Sequence, residues 1–139
     1  MKDRKAAVHA LLVLVGFSWI LVVFGGESWN TTRLLGIVFL IPSVLLWFVA
    51  RIQLGSSFSV RAQARALVTR GLYSRIRNPI YLFSSLAILG IILYAGKLRY
   101  LWVLAFLLPL QLFRIRKEEK VLQEKFGDAY LEYKRKTWL

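Results

Sequence analysis

Four apolar runs, divided by short connections and one basic segment, constrain this chain more than anything else in it. Residues 6–24, 34–50, 79–96 and 100–113 contain no Asp, Glu, Lys or Arg. About 20 apolar residues cross the hydrocarbon core of a bilayer as a helix. The first run meets that length, the second is somewhat short, and the last needs help from its flanks. The pattern therefore predicts an all-α integral membrane protein with about four transmembrane helices, the third and fourth forming a hairpin. A connection as short as Lys97-Leu98-Arg99 forces antiparallel neighbours. The 139 residues are expected to form a single domain.

The basic residues give this arrangement a direction. Lys and Arg number 20 against 7 acidic residues. With four spans and the termini on one side, only Arg33, Lys97 and Arg99 fall on the other side. Such asymmetry places the basic segments, residues 51–78 and 114–139 with both termini, in the cytoplasm. A soluble nucleic-acid binder carries such charge without long apolar runs, so the expected partner is the lipid bilayer and not nucleic acid. Cysteine is absent and His9 is the single histidine, which leaves no thiolate nucleophile and no basis for a metal site. His9, near the cytoplasmic end of the first run, reads as an interfacial residue. Asn30-Thr31-Thr32 fits a glycosylation sequon but lies against the membrane. Pro42 predicts a kink in the second span.

Function is expected in the basic connection and its surroundings. Arg61, Arg65, Arg70, Arg75 and Arg77 have no acidic residue among them. They read as a topology determinant, or as ligands for an anionic head group or a cofactor carboxylate. Gly71-Leu72-Tyr73-Ser74-Arg75-Ile76-Arg77-Asn78-Pro79-Ile80-Tyr81 then runs from this segment into the third span. Asn78 is placed as an N-cap and Pro79 as the first helical residue. In the tail, a helical pattern from Arg114 to Phe126 is stopped by Gly127, and Asp128 is placed to cap a further turn. Ile115, Leu122, Phe126, Tyr130 and Tyr133 share one stripe, giving an amphipathic C-terminal helix. Glu119 lies four residues after Ile115 and three before Leu122, on the same stripe. Glu118 is expected to pair with Arg114 on the solvated side.

These two stretches resemble the integral-membrane methyltransferases typified by isoprenylcysteine carboxyl methyltransferase and the phospholipid N-methyltransferases. Gly71, Tyr73, Arg77, Asn78, Pro79, Tyr81, Phe83, Leu86, Gly90 and Leu93 follow the order of that family's signature. Asn78 stands where the family has His, and Phe83 where it has Gly. A second motif reads Glu118, Glu119, Leu122, Phe126, Gly127, Tyr130 and Tyr133. The resemblance implies methyl transfer from S-adenosylmethionine to a lipophilic acceptor, either a carboxylate or an amine such as that of a phospholipid. It implies cofactor-binding roles for Tyr73, Arg77, Asn78, Pro79, Tyr81, Gly90, Glu118 and Glu119. Arg114 or Arg116 would orient a carboxylate acceptor. Two alternatives stay open: a non-enzymatic membrane protein derived from the family, and a membrane reductase of related architecture using a nicotinamide cofactor.

The topology is tested by single cysteines in intact cells. Cysteines at Ser28 and Lys97 are expected to react with an impermeant thiol reagent, and one at Arg65 is not. Labelling of all three from one side would refute the four-span arrangement.

Overall fold

The computed structural model describes residues 2–23, 25, 28–55 and 67–138. The side chain of His9 and most of the basic connection, including Arg61 and Arg65, fall outside the described residues. Among the described residues five α-helices follow one another: α1 Lys2–Val23, α2 Thr31–Leu54, α3 Pro79–Tyr94, α4 Leu101–Phe126 and α5 Asp128–Lys136. Short 3₁₀ turns, Gly71–Ser74 and Leu98–Tyr100, precede α3 and α4. No strand occurs among the described residues, although an isolated parallel bridge joins Ile76 to Trp138. Two stretches, Thr31–Leu54 and Leu98–Phe126, are long and apolar enough to cross a membrane; Pro79–Tyr94 is apolar but shorter.

Local chemistry sets the helix ends. The Asn30 side chain accepts the Arg33 N–H at 2.9 Å, which satisfies one of the amides left over at the start of α2. The sequon asparagine is thus a helix cap. Residue 55, a glycine with φ +50°, ends α2 and returns its N–H to the Arg51 carbonyl. α2 continues through Pro42. At α3, Pro79 occupies the first turn as expected, but Asn78 makes no side-chain cap bond. Its backbone, at φ −123° and ψ 54°, lies outside the extended region from which a cap side chain reaches back over the helix start. Asp128 likewise is the first residue of α5 and not its cap, which is Gly127.

The tightest packing is between α2 and α3. A Cβ on Gly90 would lie 2.8 Å from the Leu40 Cα, and one on Gly36 would lie 2.7 Å from the Tyr94 Cα. Small residues at a membrane helix interface let two backbones approach this closely and gain dispersion contact. Leu40 is fully buried by that approach, and Ala50 is fully buried farther along α2. α4 is built differently: none of its residues is fully buried, and Trp102, Phe106, Leu110 and Phe113 are exposed. Exposed apolar surface on this scale is unfavourable in water and suits a lipid environment. α4 also runs unbroken from the apolar segment into the charged tail. Gly127, again at φ +50°, then reverses the chain so that α5 packs back and buries Tyr130 and Tyr133.

The close crossing gives a direct test. Gly36→Ala places a methyl against the backbone of Tyr94 and is expected to cost about 1–3 kcal/mol in stability. Gly16→Ala meets nothing within 4 Å and is expected to be neutral or slightly stabilising, as alanine is the better helix former. Thermal melting of the two variants in detergent separates these outcomes.

Candidate functional site

Three segments distant in sequence meet where α3 begins, α4 becomes charged and α5 folds back. The start of α3 supplies Tyr81, whose hydroxyl donates to Glu118 Oε1 at 2.7 Å. Arg114 Nε donates to the same oxygen at 3.3 Å, one helical turn before it. Glu118 therefore does pair with Arg114, but it is half-buried against α3 and not on a solvated face. The reason is tertiary: α4 lies antiparallel to α3, and Tyr81 reaches across to the carboxylate.

Glu119, the next residue, is held by other groups. Lys134 Nζ from α5 donates to Oε2 at 3.0 Å. The Arg77 guanidinium approaches Oε1 at 3.6 Å, an ion pair beyond hydrogen-bond length. Arg77 Nε and Nη1 are buried and have no hydrogen-bond partner among the described residues. Desolvated guanidinium nitrogens of this kind are costly unless something accepts from them.

The cluster is closed from below by the end of the chain. Tyr133 Oη donates to the Tyr73 carbonyl at 2.7 Å. Trp138 N–H donates to the Arg75 carbonyl at 2.9 Å, and Arg77 N–H to the Trp138 carbonyl at 3.2 Å. From the other side, Gln53 at the end of α2 accepts the Leu72 N–H at 2.8 Å. The segment before α3 is thereby tied to both α2 and the tail. Farther along α3, Ser85 donates to Gln111 Oε1 at 2.8 Å, and Gln111 Nε2 donates to Ser84 Oγ at 3.3 Å. A line of polar contacts thus runs from the charged cluster into the apolar part of the α3–α4 pair.

Burial tunes the tyrosines. Tyr130 is 1% exposed, and its phenol is pushed up to about 12, first by burial and then by the Glu119 charge. Burial also raises Tyr133 to about 12, against the opposing effect of Arg77. Tyr73 is raised as well, by burial and then by Tyr133. These phenols stay protonated donors throughout the physiological range.

Of the residues singled out in the sequence, the structure brings together Tyr73, Arg77, Tyr81, Arg114, Glu118 and Glu119. Asn78 and Pro79 lie at the adjoining helix start, Pro79 fully buried. Gly90 lies apart, about 13 Å along α3 from Tyr81 at 1.5 Å per residue, where it packs against Leu40. Arg116 is exposed and joins none of these bonds. Lys134, Gln53, Gln111 and the Trp138 backbone were not legible as members of the site. Lys134 sits in a run of three basic residues that reads as a solvated face, and only the return of α5 reveals its partner. No group of three potential metal ligands occurs among the described residues.

A helical chain with helices fit to cross a membrane, and with a half-buried charged cluster at one end of them, fits a membrane protein. Residues 31–129 match the phospholipid methyltransferase family, and the chain belongs to that family of membrane methyltransferases. It is also 41% identical over 63 residues to an uncharacterized protein of Haemophilus influenzae, covering 43% of this chain and 100% of the relative. No solved structure matches the chain.

The buried tyrosines predict a pH dependence. Their folded-state values lie above the ordinary 10.0, so they contribute stability that is complete below about pH 10. That contribution falls away as pH rises through about 12. Melting temperature in detergent is expected to drop between about pH 10 and about pH 12. Tyr130→Phe is expected to flatten the drop, since its ring has no proton to lose.

Proposed function

We propose that this protein is a single-domain, four-span membrane enzyme that transfers a methyl group from S-adenosylmethionine to a lipophilic acceptor at its cytoplasmic face. The observation that carries this reading is the convergence of Arg77, Tyr81, Glu118 and Glu119 from two separate sequence motifs. The cofactor bears an ammonium, a carboxylate and ribose hydroxyls. Two carboxylates beside a guanidinium with unsatisfied N–H groups form a complementary set for such a molecule. In this reading Glu119 and Arg77 hold the cofactor's charged end, while Tyr73, Asn78, Pro79 and Tyr81 shape the wall at the α3 start.

When bound, the cofactor supplies an electrophilic methyl for in-line displacement. The chain's own contribution is to position and to stabilise charge. Tyr81 and Arg114 fix the Glu118 carboxylate, which is the group best placed to accept a proton from an ammonium acceptor before transfer. An amine acceptor fits this arrangement better than a carboxylate one. Arg114 is engaged by Glu118, and Arg116 joins none of the cluster's bonds, so neither is set within the cluster to orient a carboxylate. Family membership supports the same preference.

The test is calorimetric binding of S-adenosylmethionine in lipid nanodiscs. Glu119→Gln keeps shape and removes charge, and is expected to weaken binding by about 1.5–3 kcal/mol. Glu118→Gln is expected to affect transfer of a labelled methyl into lipid extract more than cofactor affinity. Absence of cofactor binding at millimolar levels would overturn the reading. Binding without transfer to any lipid would assign the chain to non-enzymatic members of the family.

A further inference from the structure

The opposite end of the α2–α3 pair holds a buried arginine that the proposed reaction does not use. Arg33, in the first turn of α2, is 2% exposed. Gln53, which contacts the segment before α3, lies 20 positions farther along the same helix, so Arg33 stands about 30 Å from the charged cluster. The Tyr94 ring covers its guanidinium at 4.5 Å, and the Trp29 ring lies at 5.5 Å. Such stacking satisfies the faces of the cation but not its in-plane hydrogens.

Nε and Nη2 of Arg33 are buried and have no hydrogen-bond partner among the described residues. These two nitrogens form one edge of the guanidinium, the side-on fork whose parallel N–H bonds match two oxygens of a phosphate or carboxylate. No carboxylate among the described residues is paired with Arg33: the glutamates of α4 and α5 pair with Tyr81, Arg114, Arg77, Lys134, Lys120 and Lys136. The first intrahelical bond here is Leu34 N–H to Asn30, and Asn30 Oδ1 takes the Arg33 N–H. The amides of Thr31 and Thr32 precede both, on the positive end of a 24-residue helix. The facing connection between α3 and α4 adds Lys97 and Arg99, so charge at this end is entirely basic among the described residues.

We propose that this end of α2 binds the phosphate of an anionic phospholipid, gripped by the Nε–Nη2 edge of Arg33. Trp29, on the loop before α2, is 62% exposed and lies over one face of the guanidinium, leaving the in-plane edge to the ligand. The surroundings favour a lipid over a soluble anion. Trp29, Leu34, Leu98 and Trp102 are exposed apolar side chains at this end, and aromatic residues of this kind lie at the headgroup level of a bilayer. The site is distinct from the glutamate cluster, so its lipid is a bound structural partner and not the methyl acceptor.

Native mass spectrometry of the full chain, with phosphatidylglycerol and with diacylglycerol lacking phosphate, tests this. Phosphatidylglycerol is expected to be retained and diacylglycerol lost. Arg33→Gln is expected to reduce retention at least about tenfold, and Arg99→Gln much less. Should Arg33→Gln fail to fold, Arg33→Lys keeps the cation but loses the fork, and a severalfold loss of retention in it supports the site. Equal retention by the parent and either Arg33 variant would overturn the proposal. Displacement of the lipid by millimolar inorganic phosphate would assign the edge to free phosphate and overturn the lipid assignment. Cofactor affinity in Arg33→Gln is expected to match the parent, which keeps this test separate from that of the methyl-transfer reading.

Discussion

The structure depends first on the approach of two backbones. Gly36 and Gly90 have no side chains, and there α2 and α3 meet with Leu40 and Tyr94 packed between them. In lipid, apolar surface gains nothing by being hidden from other apolar surface, so close dispersion contact must hold helices together. This contact fixes α3 relative to α2. The end of α2 then reaches the segment before α3, where Gln53 takes the Leu72 amide. Everything at the charged end is built on that rigid pair.

Around it, the adjacent glutamates of α4 divide their work. Successive residues on a helix point about 100° apart, so Glu118 and Glu119 meet different neighbours. Glu118 turns to α3 and Glu119 to the space between the pre-α3 segment and α5. Each carboxylate has at least two donors or cations around it, as burial of charge requires. Arg77 is the exception, with two N–H groups unsatisfied inside an otherwise satisfied cluster. That imbalance recurs in a different form at Arg33. The two ends of the molecule thus present the same chemistry, an under-satisfied guanidinium, in two settings: one beside carboxylates, the other between aromatic rings.

Much of this was legible in the residues. The apolar runs specified helices because a helix satisfies its backbone hydrogen bonds within one segment, and runs of this length without alternation do not suit barrel strands. Gly127 marked the break between the tail helices, and Pro79 the start of α3. The resemblance of the two motifs to the family singled out Arg77, Tyr81, Glu118 and Glu119. Other readings were altered by context. Asn78 has a capping residue's chemistry without its backbone angles, whereas Asn30 has both and caps α2. Gly90 belongs to a signature, yet its visible task is to admit Leu40.

The sequence by itself determined the helices, through composition and periodicity along the chain, and the family, through the resemblance of two ordered motifs to it. Only the tertiary structure decided which charges meet. Lys134 pairs with Glu119 across 15 positions, Tyr81 with Glu118 across 37 and Tyr133 with the Tyr73 carbonyl across 60. Such pairs depend on where the turn at Gly127 sends α5 and on how α4 lies along α3. Periodicity can say which face of a helix is apolar, but the partner of a buried charge is set by the element that happens to cover it.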